Sequence, residues 1–147
     1  MILKDADATE AAGRILAPYI GPGDVVALSG DLGVGKTCFV RGVLAGLGFD
    51  GEAPSPSYAL VIPYAPPSVR IPVCHVDLYR LKTSEEAEEL GLDDALADSA
   101  LLIEWPERLG DRLWWEALKI RLDDVGPKGR RLTVSVPPSW EARCPFL

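Results

Sequence analysis

The sequence has no hydrophobic run that approaches the ~20 residues needed for a membrane-spanning helix. Its opening residues, Met-Ile-Leu-Lys-Asp-Ala-Asp, lack the basic start and the long apolar stretch of a secretory signal. Because both features are missing, we expect a cytoplasmic protein that has no contact with membranes. The chain has 147 residues, of which 48% are hydrophobic. That is enough for one domain with a core of its own.

Cysteine and histidine are scarce. The three cysteines, Cys38, Cys74 and Cys144, are widely spaced and form no C-x-x-C pair. The sequence therefore indicates neither a disulfide framework nor a zinc site. The single histidine, His75, lies inside a predicted strand. We interpret it as a hydrogen-bonded sheet histidine in preference to a catalytic base.

Positive charge is also scarce, with 15 basic against 22 acidic side chains and a net charge of −7. No basic cluster is longer than Arg130-Arg131. A protein that binds nucleic acid by itself presents a basic surface, so any nucleic acid involved here is expected to be held by other subunits. The acidic run from Glu85 to Glu89 is interpreted as a solvated helix face, with an interaction surface as the alternative.

Residues 30–37, Gly-Asp-Leu-Gly-Val-Gly-Lys-Thr, fit the phosphate-loop pattern G-x-x-x-x-G-K-[ST]. The loop follows the apolar run 25–28 and precedes a helical pattern that extends from Lys36 to about Leu47. Backbone N–H groups of such a loop point at one anion, and the positive end of the helix faces it. Lys36 adds a mobile positive charge, and Thr37 offers a hydroxyl to Mg²⁺. The segment therefore predicts nucleotide binding.

Two predicted strands end in a carboxylate. Asp77 follows the apolar run 73–76, and Glu104 follows the run 101–103. In nucleotide-binding α/β sheets the ligand lies beyond the carboxyl ends of the strands. We therefore expect at least one of these acids to join Thr37 in a Mg²⁺ site. The alternative for each acid alone is a solvated strand end.

Two neighbouring features have a functional and a structural interpretation. Ser55-Pro56-Ser57-Tyr58 follows the helix of the phosphate loop, where nucleotide-dependent switch segments occur, but it also fits an ordinary turn. Trp105 directly follows Glu104. It either stacks near the nucleotide or fills the core.

The overall pattern predicts one α/β domain over residues 1–137, followed by a loosely attached tail at 138–147. We expect a three-layer sandwich of the P-loop NTPase type, with a mixed central sheet and helices on both faces. The predicted elements are a helix capped by Asp7 or Thr9 and ending near Pro18, the phosphate-loop helix, strands at 25–29, 58–64, 69–76, 100–103, 117–122 and 131–136, and short helices at 85–90 and 92–97. Turns are expected at 65–68, between antiparallel neighbours, and at 126–129, in a hairpin.

Four segments together resemble the bacterial TsaE (YjeE) family of small P-loop ATPases. They are the phosphate loop, Ser55-Pro-Ser-Tyr-Ala-Leu-Val61, His75-Val-Asp-Leu-Tyr-Arg-Leu81 and Ile103-Glu-Trp-Pro-Glu107, in the family's order within residues 9–107. The resemblance implies an ATPase that binds ATP or ADP with Mg²⁺ and works with the TsaB and TsaD proteins. In that system TsaD installs threonylcarbamoyl on the adenosine beside the anticodon, and tRNA reaches the TsaE-type subunit only through the complex.

The resemblance also implies roles for individual residues. Thr37 and Glu104 would bind Mg²⁺, Asp77 would position or activate the attacking water, and Lys36 would act on the phosphates. The implied nucleotide contacts are Thr9, Leu32, Gly33, Val34, Gly35, Lys36, Thr37, Cys38, Ser57, Trp105 and Arg130. Ser57 and Cys38 stand where the family usually has threonine, and Arg130 lies beyond the well-aligned region.

Two other functions share the phosphate loop. A small-molecule kinase needs an acceptor pocket and an arginine-bearing lid, for which 147 residues leave little room. A nucleotide-gated interaction module would bind nucleotide without depending on its hydrolysis. GTP is disfavoured as the nucleotide because the chain contains no N-K-x-D guanine motif.

Overall fold

The structure is a computed structural model that describes residues 1–56 and 59–147. In these ranges the elements are β1 (Ile2–Leu3), α1 (Ala6–Leu16), β2 (Val25–Ser29), α2 (Lys36–Gly46), β3 (Val61–Tyr64), β4 (Val73–Asp77), α3 (Leu92–Ala95), β5 (Ala100–Glu104), β6 (Leu118–Asp124) and β7 (Arg130–Ser135). Short 3₁₀ turns cover Ala17–Tyr19, Ser84–Leu90, Pro106–Arg112, Gly126–Lys128 and Pro138–Trp140. No helix among the described residues is long and apolar enough to cross a membrane.

The described strands form one mixed sheet in the order β1-β7-β6-β2-β5-β4-β3. Its centre, β6-β2-β5-β4, is parallel, and the outer pairs are antiparallel. The carboxyl ends of β2, β4 and β5 therefore meet at one edge. There Glu104 lies in register with both Leu28 and Asp77. The same topology confirms the predicted mixed sheet and the antiparallel pairs 61–64 with 73–76 and 118–124 with 130–135.

Both faces of the sheet are covered, which confirms the predicted three layers. Val26, Leu28 and Leu102 pack in the core shared with α1 and α2. Ala27 and Ile103, from the same two strands, face a second core that includes residues of the 84–90 turn and α3. Because both faces are buried, β2 and β5 have continuous apolar runs instead of an alternating pattern.

Helix α1 begins earlier than the sequence suggested. Asp5 is its N-cap, and the carboxylate accepts a hydrogen bond from the Ala8 amide at 2.8 Å. The prediction of Asp7 or Thr9 as the cap is therefore wrong. Thr9 instead lies inside the helix, where its hydroxyl donates to the Asp5 carbonyl oxygen. The α-helix ends at Leu16, before the expected Pro18, and continues as a 3₁₀ turn.

The predicted strand 69–76 is too long at its start. The Arg70 amide donates to the Leu47 carbonyl oxygen at 2.8 Å, and Pro72 has no N–H for a sheet bond, so β4 begins at Val73. On the partner strand, Tyr58 lies outside the described residues, and β3 begins at Val61. The acidic segment that follows β4 is a 3₁₀ turn capped by Thr83.

The segment that the sequence predicted to be loosely attached is anchored to the domain. Trp140 is buried in the core, and the Arg143 guanidinium stacks over its ring with its central carbon 3.7 Å from the ring centre. Arg143 also donates to both carboxylate oxygens of Asp24, at 2.6 and 2.8 Å. Arg143 and Asp24 are about 120 positions apart, so no local pattern in the tail predicts their contact.

Candidate functional site

The phosphate loop joins β2 to α2 at the carboxyl edge of the sheet. Gly30, Gly33 and Gly35 have φ values of +145°, +77° and +116°, which residues with a side chain rarely adopt. Gly35 occupies the N-cap of α2 and has no side chain to satisfy the first N–H groups of the helix. An eleven-residue helix thus presents free N–H groups and the positive end of its dipole to the loop.

Lys36 is buried at the start of α2, and its ammonium donates to the carbonyl oxygens of Gly30 and Asp31. The nitrogen also lies 4.1 Å from the centre of the Trp105 ring. Burial lowers the pKa of Lys36, and the negative charge of Glu104 opposes this effect. A phosphate in the loop would therefore offer the ammonium a full negative charge in place of neutral carbonyl groups.

Glu104 links the end of β5 to the start of α2. The Thr37 hydroxyl oxygen lies 2.9 Å from Glu104 Oε1 and 3.0 Å from Oε2. On the other side, His75 Nε2 lies 2.6 Å from Oε2. The carboxylate is 3% exposed, so the Thr37 hydroxyl and the His75 ring hold a nearly buried acid beside the phosphate loop.

Asp77 lies opposite Glu104 at the end of β4 and is buried. Its Oδ1 accepts a hydrogen bond from the Tyr79 amide at 3.0 Å. Burial raises the pKa of Asp77, repulsion from Glu104 adds to the rise, and the Tyr79 hydrogen bond opposes it. A carboxylate with a raised pKa is a stronger base, which suits a group that accepts a proton from water.

Trp105 has an unusual backbone, with a φ of +62° in the left-handed region. Pro106 follows it, and the residue before a proline avoids the right-handed helical conformation. The ring packs 5.0 Å from that of Tyr79, centre to centre, and also contacts Lys36. Strained backbone of this kind is found preferentially where a side chain must be placed at a functional site.

These groups surround a cavity of about 380 Å³, a size that accepts a small-molecule ligand. It is lined by Leu32, Gly33, Gly35, Lys36, Thr37, Cys38, Ser55, Asp77, Tyr79, Arg80, Glu104 and Trp105. Thr37 and Glu104 supply hydroxyl and carboxylate oxygens, the ligand atoms that Mg²⁺ prefers. Among the described residues no group of three or more His, Cys, Asp or Glu side chains could hold a metal alone. The donor set fits an ion that is also bound by phosphate and water.

Other predicted contacts lie beside this cavity or behind the loop. Arg130 donates to the Val34 carbonyl oxygen at 3.0 Å, and a side chain at Gly35 would collide with its guanidinium. The Val34 side chain is buried in the core. Thr9 is fully buried next to Gly35, with its hydroxyl bonded to the helix backbone. Ser57 lies outside the described residues.

The structure adds three side chains to which the sequence assigned no role at the site. Tyr79 and Arg80 line the cavity because they lie two and three residues beyond Asp77, where β4 ends. His75 is bonded to Glu104 through Nε2, although its Nδ1 has no partner among the described residues. Alternate residues of a strand lie on the same face, so the sequence could have placed His75 beside Asp77 on one face of β4.

The amino-acid sequence is similar to those of known proteins. The family profile described as "Threonylcarbamoyl adenosine biosynthesis protein TsaE" matches residues 3–132. The chain belongs to the TsaE family. A Bacillus subtilis protein named tRNA threonylcarbamoyladenosine biosynthesis protein TsaE is 34% identical over 141 residues, covering 95% of this chain and 87% of the relative. A Streptomyces coelicolor protein of the same name is 38% identical over 128 residues, covering 84% and 86%.

The fold is shared as well. The crystal structure of YdiB from Bacillus subtilis superposes with a TM-score of 0.77 at 30% identity, covering 94% of this chain and 85% of the other. This similarity confirms the α/β architecture that the sequence predicted for the TsaE family member.

Proposed function

We propose that this chain binds and hydrolyses Mg-ATP in tRNA threonylcarbamoyladenosine biosynthesis, where it supports turnover of a TsaB–TsaD threonylcarbamoyl transferase. The observation that carries the proposal is the contact of Thr37 with Glu104 at the phosphate-loop cavity. It brings the helix of the loop and a strand-end carboxylate together, as a shared magnesium site requires. The names of the relatives support the tRNA pathway.

In this proposal each side chain has a distinct task. The loop amides and Lys36 bind the β- and γ-phosphates, and Thr37 and Glu104 bind Mg²⁺. An ion held by these two side chains would neutralise charge on the phosphate oxygens. Asp77 orients the attacking water and takes up its proton, which the raised pKa of its carboxyl favours. Trp105 covers the Lys36 side of the cavity.

We also propose that hydrolysis depends on protein partners and that the chain does not bind tRNA directly. Its net charge of −7 opposes a polyanion. In this proposal a companion surface contacts the predicted switch segment, residues 55–58, beside the nucleotide. Slow hydrolysis by the isolated chain follows from this dependence.

The test measures ATP hydrolysis by the chain alone and with the TsaB and TsaD proteins of the same organism. We expect slow basal turnover and a higher rate, or a higher yield of modified tRNA, with both partners present. The Lys36→Ala variant in the same mixture reports any ATPase contamination. In parallel, tRNA mixed with the isolated chain at moderate salt should show no mobility shift.

Three results would contradict the proposal. Full activity without a partner would support a self-sufficient enzyme, such as a small-molecule kinase. Tight, salt-sensitive tRNA binding by the chain alone would contradict the indirect role in tRNA modification. Nucleotide binding without measurable hydrolysis in the complete mixture would instead favour a nucleotide-gated interaction module.

A further inference from the structure

We infer that His75 is a positioning residue, which holds the Glu104 carboxylate in the orientation that binds Mg²⁺. His75 is fully buried in β4, and its Nε2 lies 2.6 Å from Glu104 Oε2. The inference rests on the proposed Mg-nucleotide function and adds a residue that touches neither nucleotide nor metal. Residues that hydrogen-bond to a ligating carboxylate fix its direction, and their loss commonly weakens metal binding.

The two oxygens of Glu104 have different surroundings. Thr37 is within hydrogen-bond distance of both, and His75 is bonded to Oε2. The Thr37 hydroxyl has one hydrogen, which can serve either oxygen, whereas the His75 ring contacts only Oε2. Because His75 fixes Oε2 from the buried side, Oε1 is the oxygen left to act with the Thr37 hydroxyl toward a cation.

The ring of His75 is poorly explained as packing alone. Its Nδ1 is buried and has no hydrogen-bond partner among the described residues, which costs free energy that an apolar side chain would not cost. The residues adjacent to it in the chain, Cys74 and Val76, pack in the core on the other face of the sheet. The benefit of an imidazole at this position therefore lies in the bond that Nε2 makes to Glu104.

Because His75 is the only histidine of the chain, the unmodified protein gives one test directly. A bond to the carboxylate requires the proton on Nε2. Long-range ¹H–¹⁵N spectra should therefore show one imidazole with a proton on Nε2 that exchanges slowly with water. A ring with a bare Nε2 and the proton on Nδ1 would overturn the inference without any mutation.

The second test measures the affinity for ADP in the presence of Mg²⁺ and in the presence of EDTA. The ratio of the two affinities reports the contribution of the metal to binding. His75→Leu should reduce this ratio about 10–100-fold, with Mg²⁺-free ADP binding retained. His75→Gln, whose amide reaches the position of Nε2, should keep most of the ratio. His75→Asn is too short to do so and replaces the leucine variant if that protein does not fold.

Two controls separate the possible failures. Val76→Ala weakens packing on the opposite face of the same strand, so it should lower thermal stability and leave the ratio unchanged. Glu104→Ala should abolish the metal's contribution. If Glu104→Ala keeps the parent ratio, the proposed magnesium site is wrong. If Glu104→Ala abolishes the effect of Mg²⁺ on ADP affinity while His75→Leu or His75→Asn retains it, only the positioning role of His75 is wrong.

Discussion

Glu104 and Asp24 lie at opposite edges of the parallel centre of the sheet, and their carboxylates have partners of different chemistry. Asp24, just before β2, accepts two hydrogen bonds from the Arg143 guanidinium. Glu104, at the end of β5, is bonded to the Thr37 hydroxyl and the His75 ring. The carboxylate of Asp24 is therefore paired with an arginine, whereas no arginine or lysine is bonded to Glu104 among the described residues.

This difference separates a structural ion pair from a site that is prepared for a ligand. Lys36, the buried cation near Glu104, donates its hydrogen bonds to loop carbonyls instead of to the carboxylate. A buried carboxylate that no arginine or lysine bonds is costly for the fold, and a divalent ion bound beside Glu104 would lower that cost. Mutations at the Glu104 edge should therefore impair turnover, and mutations at the Asp24 edge should impair stability.

The largest effect is expected for Glu104→Ala, which removes a proposed metal ligand. We expect turnover to be abolished and Mg²⁺-free ADP binding to remain largely intact, because the loop amides and Lys36 are unchanged. ATPase assays together with calorimetry in the presence and absence of Mg²⁺ measure both quantities. Equal ATPase rates in the variant and the parent would show that Glu104 has no role in hydrolysis. The functional difference between Glu104 and Asp24 would then be wrong.

Asp77→Asn tests the second acid at the same edge and separates activity from stability. Turnover should fall about 10²–10⁴-fold if Asp77 acts as a base. The asparagine still accepts the Tyr79 hydrogen bond, so the fold is preserved. A normal rate would assign the proton transfer to another group.

The pH dependence of stability should also change in Asp77→Asn. Burial raises the folded-state pKa of Asp77, so ionisation costs stability, and this cost appears as pH rises from the unfolded pKa through the folded one. The variant should therefore melt at a higher temperature than the parent at pH 7. The difference should shrink toward about pH 4, and a lower melting temperature at pH 7 would contradict the raised pKa.

Lys36→Ala should weaken nucleotide binding or turnover at least about tenfold, because one charge-assisted contact contributes ~1.5–3 kcal/mol. Circular dichroism should show a native fold, since the lysine bonds only to loop carbonyls in the described structure. If a natively folded variant binds and hydrolyses ATP normally, the assignment of residues 30–37 to phosphate binding is wrong.

The two edges also differ in how much of them could be predicted from the sequence. The phosphate loop and the strand-end acids were recognisable because each depends on a local pattern of glycines or on a short apolar run. The contact of Thr37 with Glu104 needed only the further rule that parallel strands end at one edge. The bond of His75 to Glu104 was missed because it depends on which strands are neighbours, and this is a property of the whole sheet.

The Asp24 edge could not be predicted from local patterns. Arg143 lies in a tail with no hydrophobic period, and its partner is close to the other end of the chain. The start of β4 was misjudged for a related reason, since the Arg70 amide bonds to Leu47 outside the sheet. In both cases a long-range contact, which no spacing rule encodes, determined the local conformation.

The smallest effect on turnover is expected for Arg143→Ala, which breaks the ion pair with Asp24. Asp24 and Arg143 are 16% and 30% exposed, so solvent screens them only in part. We expect a loss of about 1–3 kcal/mol in the free energy of unfolding, from charged hydrogen bonds and from packing on Trp140. ATPase activity and Mg-ADP affinity should be unchanged, and chemical denaturation measures the stability.

Arg112→Ala is the matched control, because Arg112 pairs with Glu88 at a similar distance but at 39% and 67% exposure. Such an exposed pair should contribute less than about 1 kcal/mol. Arg143→Lys keeps the charge but loses the two-pronged contact, so it should recover only part of the stability. If Arg143→Ala lowers the free energy of unfolding no more than Arg112→Ala does, the Asp24 pair is an ordinary surface contact. If it instead impairs nucleotide binding, the two edges of the sheet are coupled, and the separation of stability from ligand binding fails.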